Sequence, residues 1–268
     1  MANIESALFE IGALETLARR DSPIHRRDAR VKILATMLFI LTVVSFHRYT
    51  LAGLAPLAVF PVALAVLGGV PARAIATRLL LAAPFVLLVG MFNPLLERQA
   101  LLHWGPLAIS AGWVSFASIV ARFALSLSAA LILISTTGLD GVCAGLARLG
   151  APRLFTVQLL LLFRYLFVLT EEATRMLRAW ALRSPGKRAP TPRLTATLLG
   201  QLLLRAMDRA HRIHMAMLSR GFSGELHPAR AMRMRAADWG FLLLWAAYFL
   251  AVRTVDVTQV LGRLATGG

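Results

Sequence analysis

From Trp113 to Thr136 the chain runs for twenty-four residues with a single charge, Arg122. A helix of that length rises about 36 Å, more than the ~30 Å hydrocarbon core of a bilayer. Lipid offers the backbone no hydrogen bonds, so such a run must be a helix that satisfies its own N–H and C=O groups. Four other segments approach span length, at about 33–46, 49–67, 79–96 and 239–252. Gly68, Gly69 and Pro71 stop the second of these. Pro84 lies inside the third, and Asn93-Pro94 near its end, where the Asn amide is expected to satisfy freed backbone groups. With 58% hydrophobic residues and a mean hydropathy of +0.69, the chain is expected to be an all-α integral membrane protein.

Charge sets the topology. The 29 basic and 13 acidic residues give a net charge of +16. The cations flank apolar spans and no nucleic-acid reading motif accompanies them, so the partner they imply is anionic membrane lipid. Arg19, Arg20, Arg26, Arg27, Arg30 and Lys32 place the N-terminus in the cytoplasm, and Arg73 and Arg78 place the second loop there too. The nearly neutral loop 97–112 falls outside, and Arg148 and Arg153 return inside.

The run 154–169 is apolar enough to cross, but thirteen cations between 171 and 238 would then lie outside. It also carries Arg164 in its middle, a costly residue at mid-bilayer. The run is therefore expected to pack, buried, against the other spans at the cytoplasmic side. Five crossings follow, or six if this run crosses; with five the C-terminus lies outside.

The chain opens without the basic leader of a signal peptide; Ile4, Ala7, Leu8, Ile11 and Leu14 mark one face of a surface helix. Cys143 is the only cysteine, which excludes an internal disulfide and any multi-cysteine metal site. Three regions result: 1–137 with the N-terminal segment and four spans, 138–237 as a cytoplasmic module, and 238–268 with the last span and tail.

Two helices are legible in the cytoplasmic module. The first continues from the 154–169 run, carries Glu171 and Arg175 at i,i+4, and stops at Ser184-Pro185-Gly186. The second covers about 195–218. Leu198, Leu199, Leu202, Leu203, Met207, Ala210, Ile213 and Met217 form its apolar face, and Arg205, Arg209 and Arg212 stripe the other. Gly221 supplies a C-cap. Each helix ends in an X-Arg-small tripeptide, Leu182-Arg183-Ser184 and Ser219-Arg220-Gly221. A single arginine there reads as a cation on the helix dipole. Two at equivalent positions point to a paired docking surface, for which the planar guanidinium suits carboxylates and carbonyls.

The stretches SPIHRRDARVK, GMFNPLL, GWVSFASIVARF, LFRYLFVLTEEATRMLRAWALRS and QLLLRAMDRAHRIHMAMLSRGFSGE, with the closing apolar span, resemble the transmembrane T component of energy-coupling factor (ECF) transporters, in its cobalt-uptake CbiQ branch. The resemblance runs in order over nearly the whole chain. It implies that the two X-Arg-X motifs end coupling helices seated in grooves of two cytoplasmic ATP-binding subunits, with Arg183 and Arg220 carrying the contacts. The family's usual first residue is alanine; here Leu182 and Ser219 stand in its place. It also implies a metal-specific, substrate-binding membrane subunit held by the apolar faces of the coupling helices and spans. The substrate is then a divalent metal, cobalt in this branch, with nickel or a vitamin as alternatives. The location implied is the cytoplasmic (inner) cell membrane.

The residues fit a non-catalytic subunit without cofactor. Pro185-Gly186-Lys187-Arg188 lacks the Ser/Thr and the glycine spacing of a phosphate-binding loop. His211 and His214 have no acidic or cysteine ligand at a plausible spacing, so a polar interface suits them better than a metal. The resemblance also places the substrate metal in the partner subunit. Arg122 pairs with a partner, faces a polar seam, or snorkels. Met207, Met215 and Met217 serve a sliding contact or the core. Two other classes compete: a membrane enzyme with a basic cytoplasmic substrate region, which lacks a catalytic constellation, and a secondary carrier, which lacks an internal repeat.

Overall fold

A computed structural model describes residues 17–18, 20–47, 51–96, 100–104, 107–184, 190–224 and 234–254. The surface helix read at 4–14 and the Pro185–Arg188 turn lie outside them. The elements are α1 (Ala29–Ser45), two single 3₁₀ turns (Ala52–Leu54 and Pro56–Ala58), α2 (Val59–Gly68), α3 (Ala72–Gly90), α4 (Phe92–Leu96), α5 (Ala111–Arg148), α6 (Arg153–Arg183), α7 (Pro192–Ser219) and α8 (Ala236–Thr254). The fold is all-helical apart from a hairpin in the neutral loop, where β1 (Ala100–Trp104) pairs antiparallel with β2 (Leu107–Ser110). Ala72–Pro94, Gly112–Arg148, Arg153–Arg183 and Ala236–Thr254 are long and apolar enough to cross a membrane. The described residues of Leu14–Gly145 and Met232–Gly268 form one compact unit, and those of Leu146–Ala231 another.

In the first unit, contacts fix the direction of each helix. Arg27 reaches Asp238 at 3.5 Å, where α1 and α8 begin, and Arg253 donates to the Ser45 carbonyl at 3.4 Å, where both end. The two helices therefore run parallel. Lys32, near the start of α1, donates to the Thr136 carbonyl at 2.9 Å, and Arg122 donates to His47 just past its end at 2.6 Å. So α5 runs antiparallel to α1. Arg122 reaches a carbonyl just past the C-terminus of α1, a favourable place for a cation. Arg20 donates to the carbonyl of Gly69 at 3.1 Å, bringing the end of α2 to the end where α1 begins.

Aromatic packing holds these helices. The Phe60 ring stacks on Phe39 at 4.6 Å and meets Phe249 and Trp245 edge-on at 5.2 and 4.8 Å, joining α1, α2 and α8. The Tyr248 hydroxyl donates to the Pro56 carbonyl at 2.7 Å. Small residues let backbones approach, as in membrane bundles. A Cβ on Gly68 would lie 2.9 Å from Thr136, and one on Gly90 would lie 2.8 Å from Phe116. Outward, Leu80, Leu81, Phe85 and Leu88 of α3 are exposed, an apolar surface suited to lipid.

Three expectations need correction. The second span, read at 49–67, is a shorter apolar helix, Pro56–Gly68. Pro56 opens its 3₁₀ turn and Pro61 lies within its first α turn, which begins at Val59, and proline lacks the N–H that would extend the helix upstream. The Asn93 amide serves no backbone group; it donates to the buried Ser115 hydroxyl at 3.1 Å. The run 154–169 is not buried. It belongs to the 31-residue α6, with Leu154 78% and Leu162 62% exposed. Amphipathic helices in a two-helix unit cannot cover each other's full circumference, and an apolar side is left for lipid or a partner.

Candidate coupling site

In the second unit, α6 and α7 are joined end to start through residues 184–191. Thr191 caps α7, its hydroxyl accepting from the Leu194 N–H, with Pro192 at the first helical position. The sequence makes these helices amphipathic, and the structure sorts α7 along its length. Leu198, Leu202, Ala206, Arg209, Ile213 and Met217 are half-buried at 3–4 spacing, while Leu199, Leu203, Leu204, Met207 and Met215 are exposed.

Glu172 joins the two helices. It accepts from Arg205 at 2.7 Å and lies 3.5 Å from Arg209 and 3.9 Å from Arg175. Its side chain is 15% exposed, against 57% for Arg205. Two of the three arginines expected to stripe an open face thus turn toward α6. Arg212 is exposed and has no hydrogen bond or ion pair among the described residues. Sequence reading missed Glu172. Its signal was a Glu171-Glu172 pair on one helix and arginines at i,i+4 on the next, complementary charges that only tertiary packing brings together.

The arginine tips lie at the ends of their helices, away from this junction. Arg183 is eleven residues beyond Glu172 on α6, so about 16 Å along the axis. Arg220 is fifteen residues beyond Arg205 on α7, so about 22 Å along that axis. Leu182, Arg183, Ser219, Arg220 and Gly221 are exposed and Ser184 is half-buried.

The backbone at the α7 tip closes without the arginine side chain, and at the α6 tip the one bond described is also made by backbone. After α7, Gly221 takes the left-handed conformation at φ +77°. Its N–H donates to Leu218 at 2.9 Å, and the Phe222 N–H donates to Met217 at 3.0 Å. This is a complete Schellman closure, which glycine alone enters without strain. The Ser219 hydroxyl folds back to the Met215 carbonyl at 2.9 Å. At α6 the Ser184 N–H donates to Ala181 at 3.3 Å. Neither the Arg183 nor the Arg220 guanidinium makes a hydrogen bond or ion pair among the described residues. Simple capping by these side chains therefore lacks its hydrogen bonds.

Elsewhere, His25 sits in the basic segment before α1. Its Nε2 donates to the Leu17 carbonyl at 3.0 Å, so Nδ1 accepts from the Ser22 hydroxyl at 2.7 Å. Burial holds the imidazole below its ordinary pKa. His211 and His214 are exposed on α7, and no group of three metal-ligating side chains occurs among the described residues.

Residues 20–231 match the family model described as the cobalt transport protein CbiQ. The energy-coupling factor transporter transmembrane protein EcfT of Thermosediminibacter oceani is 26% identical over 259 residues, covering 91% of this chain and 94% of that one. EcfT of Heliobacterium modesticaldum is 29% identical over 232 residues, 76% of this chain and 81% of its own. The cobalt transport protein CbiQ of Rhodobacter capsulatus is 35% identical over 95 residues, 35% of this chain and 39% of its own.

Proposed function

The chain belongs to the CbiQ family and is the transmembrane T component of an ECF transporter, a multi-pass, non-catalytic subunit, and from that premise we propose that its two arginine-tipped helices couple a pair of cytoplasmic ATP-binding subunits to a substrate-binding membrane subunit. The observation that carries this reading is the pair of exposed guanidiniums, Arg183 and Arg220, at two helix ends where neither has a hydrogen bond or ion pair among the described residues. A side chain free of local work is available to a carboxylate or carbonyl on a partner. Two tips, each at the end of its own helix, suit two partners. ATP-driven approach of those partners pushes the tips together, and the Glu172 junction passes the motion along both helices. The exposed apolar faces of α6 and α7 then carry the membrane subunit, which moves with them.

The substrate proposed is a divalent metal ion, cobalt first. The family description and the Rhodobacter capsulatus relative both name cobalt for the proteins they describe. The proposed orientation is N-terminus in the cytoplasm, five crossings, C-terminus outside. The basic residues before α1 support it, and so does the parallel course of α1 and α8. With α2, α3 and α5 crossing between them, α8 begins on the side where α1 began. A crossing by α6 alone would reverse it.

Extraction of the complex in mild detergent tests the proposal. Two ATP-binding chains, identical or different, are expected to co-purify with this one, and cells expressing the set are expected to accumulate cobalt. Isolation of this chain free of any ATP-binding subunit would count against it.

A further inference from the structure

α5 does not run unbroken. Gly138 has φ +70° and ψ 157°, outside the helical region, so the helix kinks there and its regular dihedrals are interrupted. The first turn of α1 meets both sides of this break. Before it, the Lys32 ammonium, 5% exposed, donates to the Thr136 carbonyl at 2.9 Å. Beyond it, Gly145 packs so closely on the same turn that a Cβ there would lie 2.7 Å from Ile33 Cδ1, 3.2 Å from Ala29 Cβ and 3.4 Å from the Ala29 carbonyl carbon. Ala29, Lys32 and Ile33 are at i, i+3 and i+4, so they share one face of α1. A buried ammonium needs a charged or polar partner, and here the Thr136 carbonyl, two residues before the kink, supplies it. Asp28 caps α1 through the Arg30 N–H at 2.9 Å, which fixes the turn itself.

We propose that Lys32 is a positioning residue: with Ala29 and Ile33 it forms a latch across the break at Gly138, holding residues 139–145 against α1. These residues lie on one of the two chain connections between the spans and the coupling helices, so a latched break transmits their movement and a loose one absorbs it. That consequence rests on the proposed function; the latch does not.

The chain carries its own reporter. Cys143, its only cysteine, lies in the latched segment and is 2% exposed. Lys32→Met keeps the bulk of the stem and removes the donor. In the full-length chain in detergent it is expected to raise the rate of Cys143 alkylation by N-ethylmaleimide about tenfold. Lys32→Arg, which keeps a cation and donors, is expected to restore part of the protection. Gly145→Ala, which wedges the segment off α1 without touching the charge, is expected to expose Cys143 as well, and it decides the matter if Lys32→Met does not fold. Wild-type labelling rates in every folded variant of the set would overturn the latch. If the labelling rates come out as expected but the unaltered chain co-purifies with no ATP-binding subunit, only the coupling role is overturned and the latch stands.

Discussion

Reversing both tips, Arg183→Glu with Arg220→Glu, is expected to lower cobalt uptake by about a hundredfold or more and to strip the ATP-binding subunits from the purified chain. Each guanidinium is exposed, and the hydrogen bonds that close the helix ends run through backbone N–H groups of Ser184, Gly221 and Phe222. Glutamate therefore leaves both helices formed while placing a like charge against any carboxylate that received the arginine. Each single reversal is expected to cost about tenfold, because one tip still docks. Arg212→Glu on the same helix serves as the control, since it adds equal negative charge away from the tips. Membrane insertion, read by protease protection or by extraction, should be unchanged in all of them. If the double variant retains full uptake, Arg183 and Arg220 have no coupling role.

Phe60→Ala is the second large effect, and it acts on the fold. The ring is 0% exposed and touches Phe39, Trp245 and Phe249 within 5.2 Å, so truncation removes the aromatic centre shared by α1, α2 and α8. Burial of this kind is worth about 3–5 kcal/mol when a phenylalanine is cut to alanine. The purified chain is expected to unfold at a clearly lower temperature, or to be lost to proteolysis in the cell. Leu203→Ala on α7, whose side chain is 61% exposed, should change the melting of the isolated chain little. Equal melting of Phe60→Ala and wild type would mean that the three helices are held by something other than this cluster.

Much of the architecture is legible in the residues because lipid leaves few alternatives. The long apolar runs become α3, α5 and α8, and the tripeptides at Arg183 and Arg220 stand at helix ends as their breakers imply. What escapes a linear reading are features decided by neighbours. Pro56 and Pro61 shorten the second apolar helix although the composition of 49–67 remains span-like. Gly138 looks like any other glycine in the chain, and its φ of +70° comes to light only in the structure. Lys32 reads as one more cytoplasmic cation, and only the Thr136 carbonyl gives it a buried post. Arg122 leaves three readings open in the sequence, and only the structure brings the His47 carbonyl to it. At the coupling site, Glu172 is one acid among few, and it gains meaning only when α7 brings Arg205 and Arg209 to it. The exposed sides of α6 and α7 are legible as amphipathic, but the sequence alone assigned the apolar run of α6 to a buried place that a two-helix unit does not provide.

Site-specific photocrosslinking reads the central claim most directly. A photoreactive amino acid is placed at position 183 or at position 220, in membranes holding the full transporter, and the captured chain is identified by mass spectrometry. Capture of an ATP-binding subunit from each position is the expected result. Capture from both positions of lipid or of the membrane subunit alone, with no ATP-binding chain, would contradict the assignment of these two helix ends as the ATPase docking points.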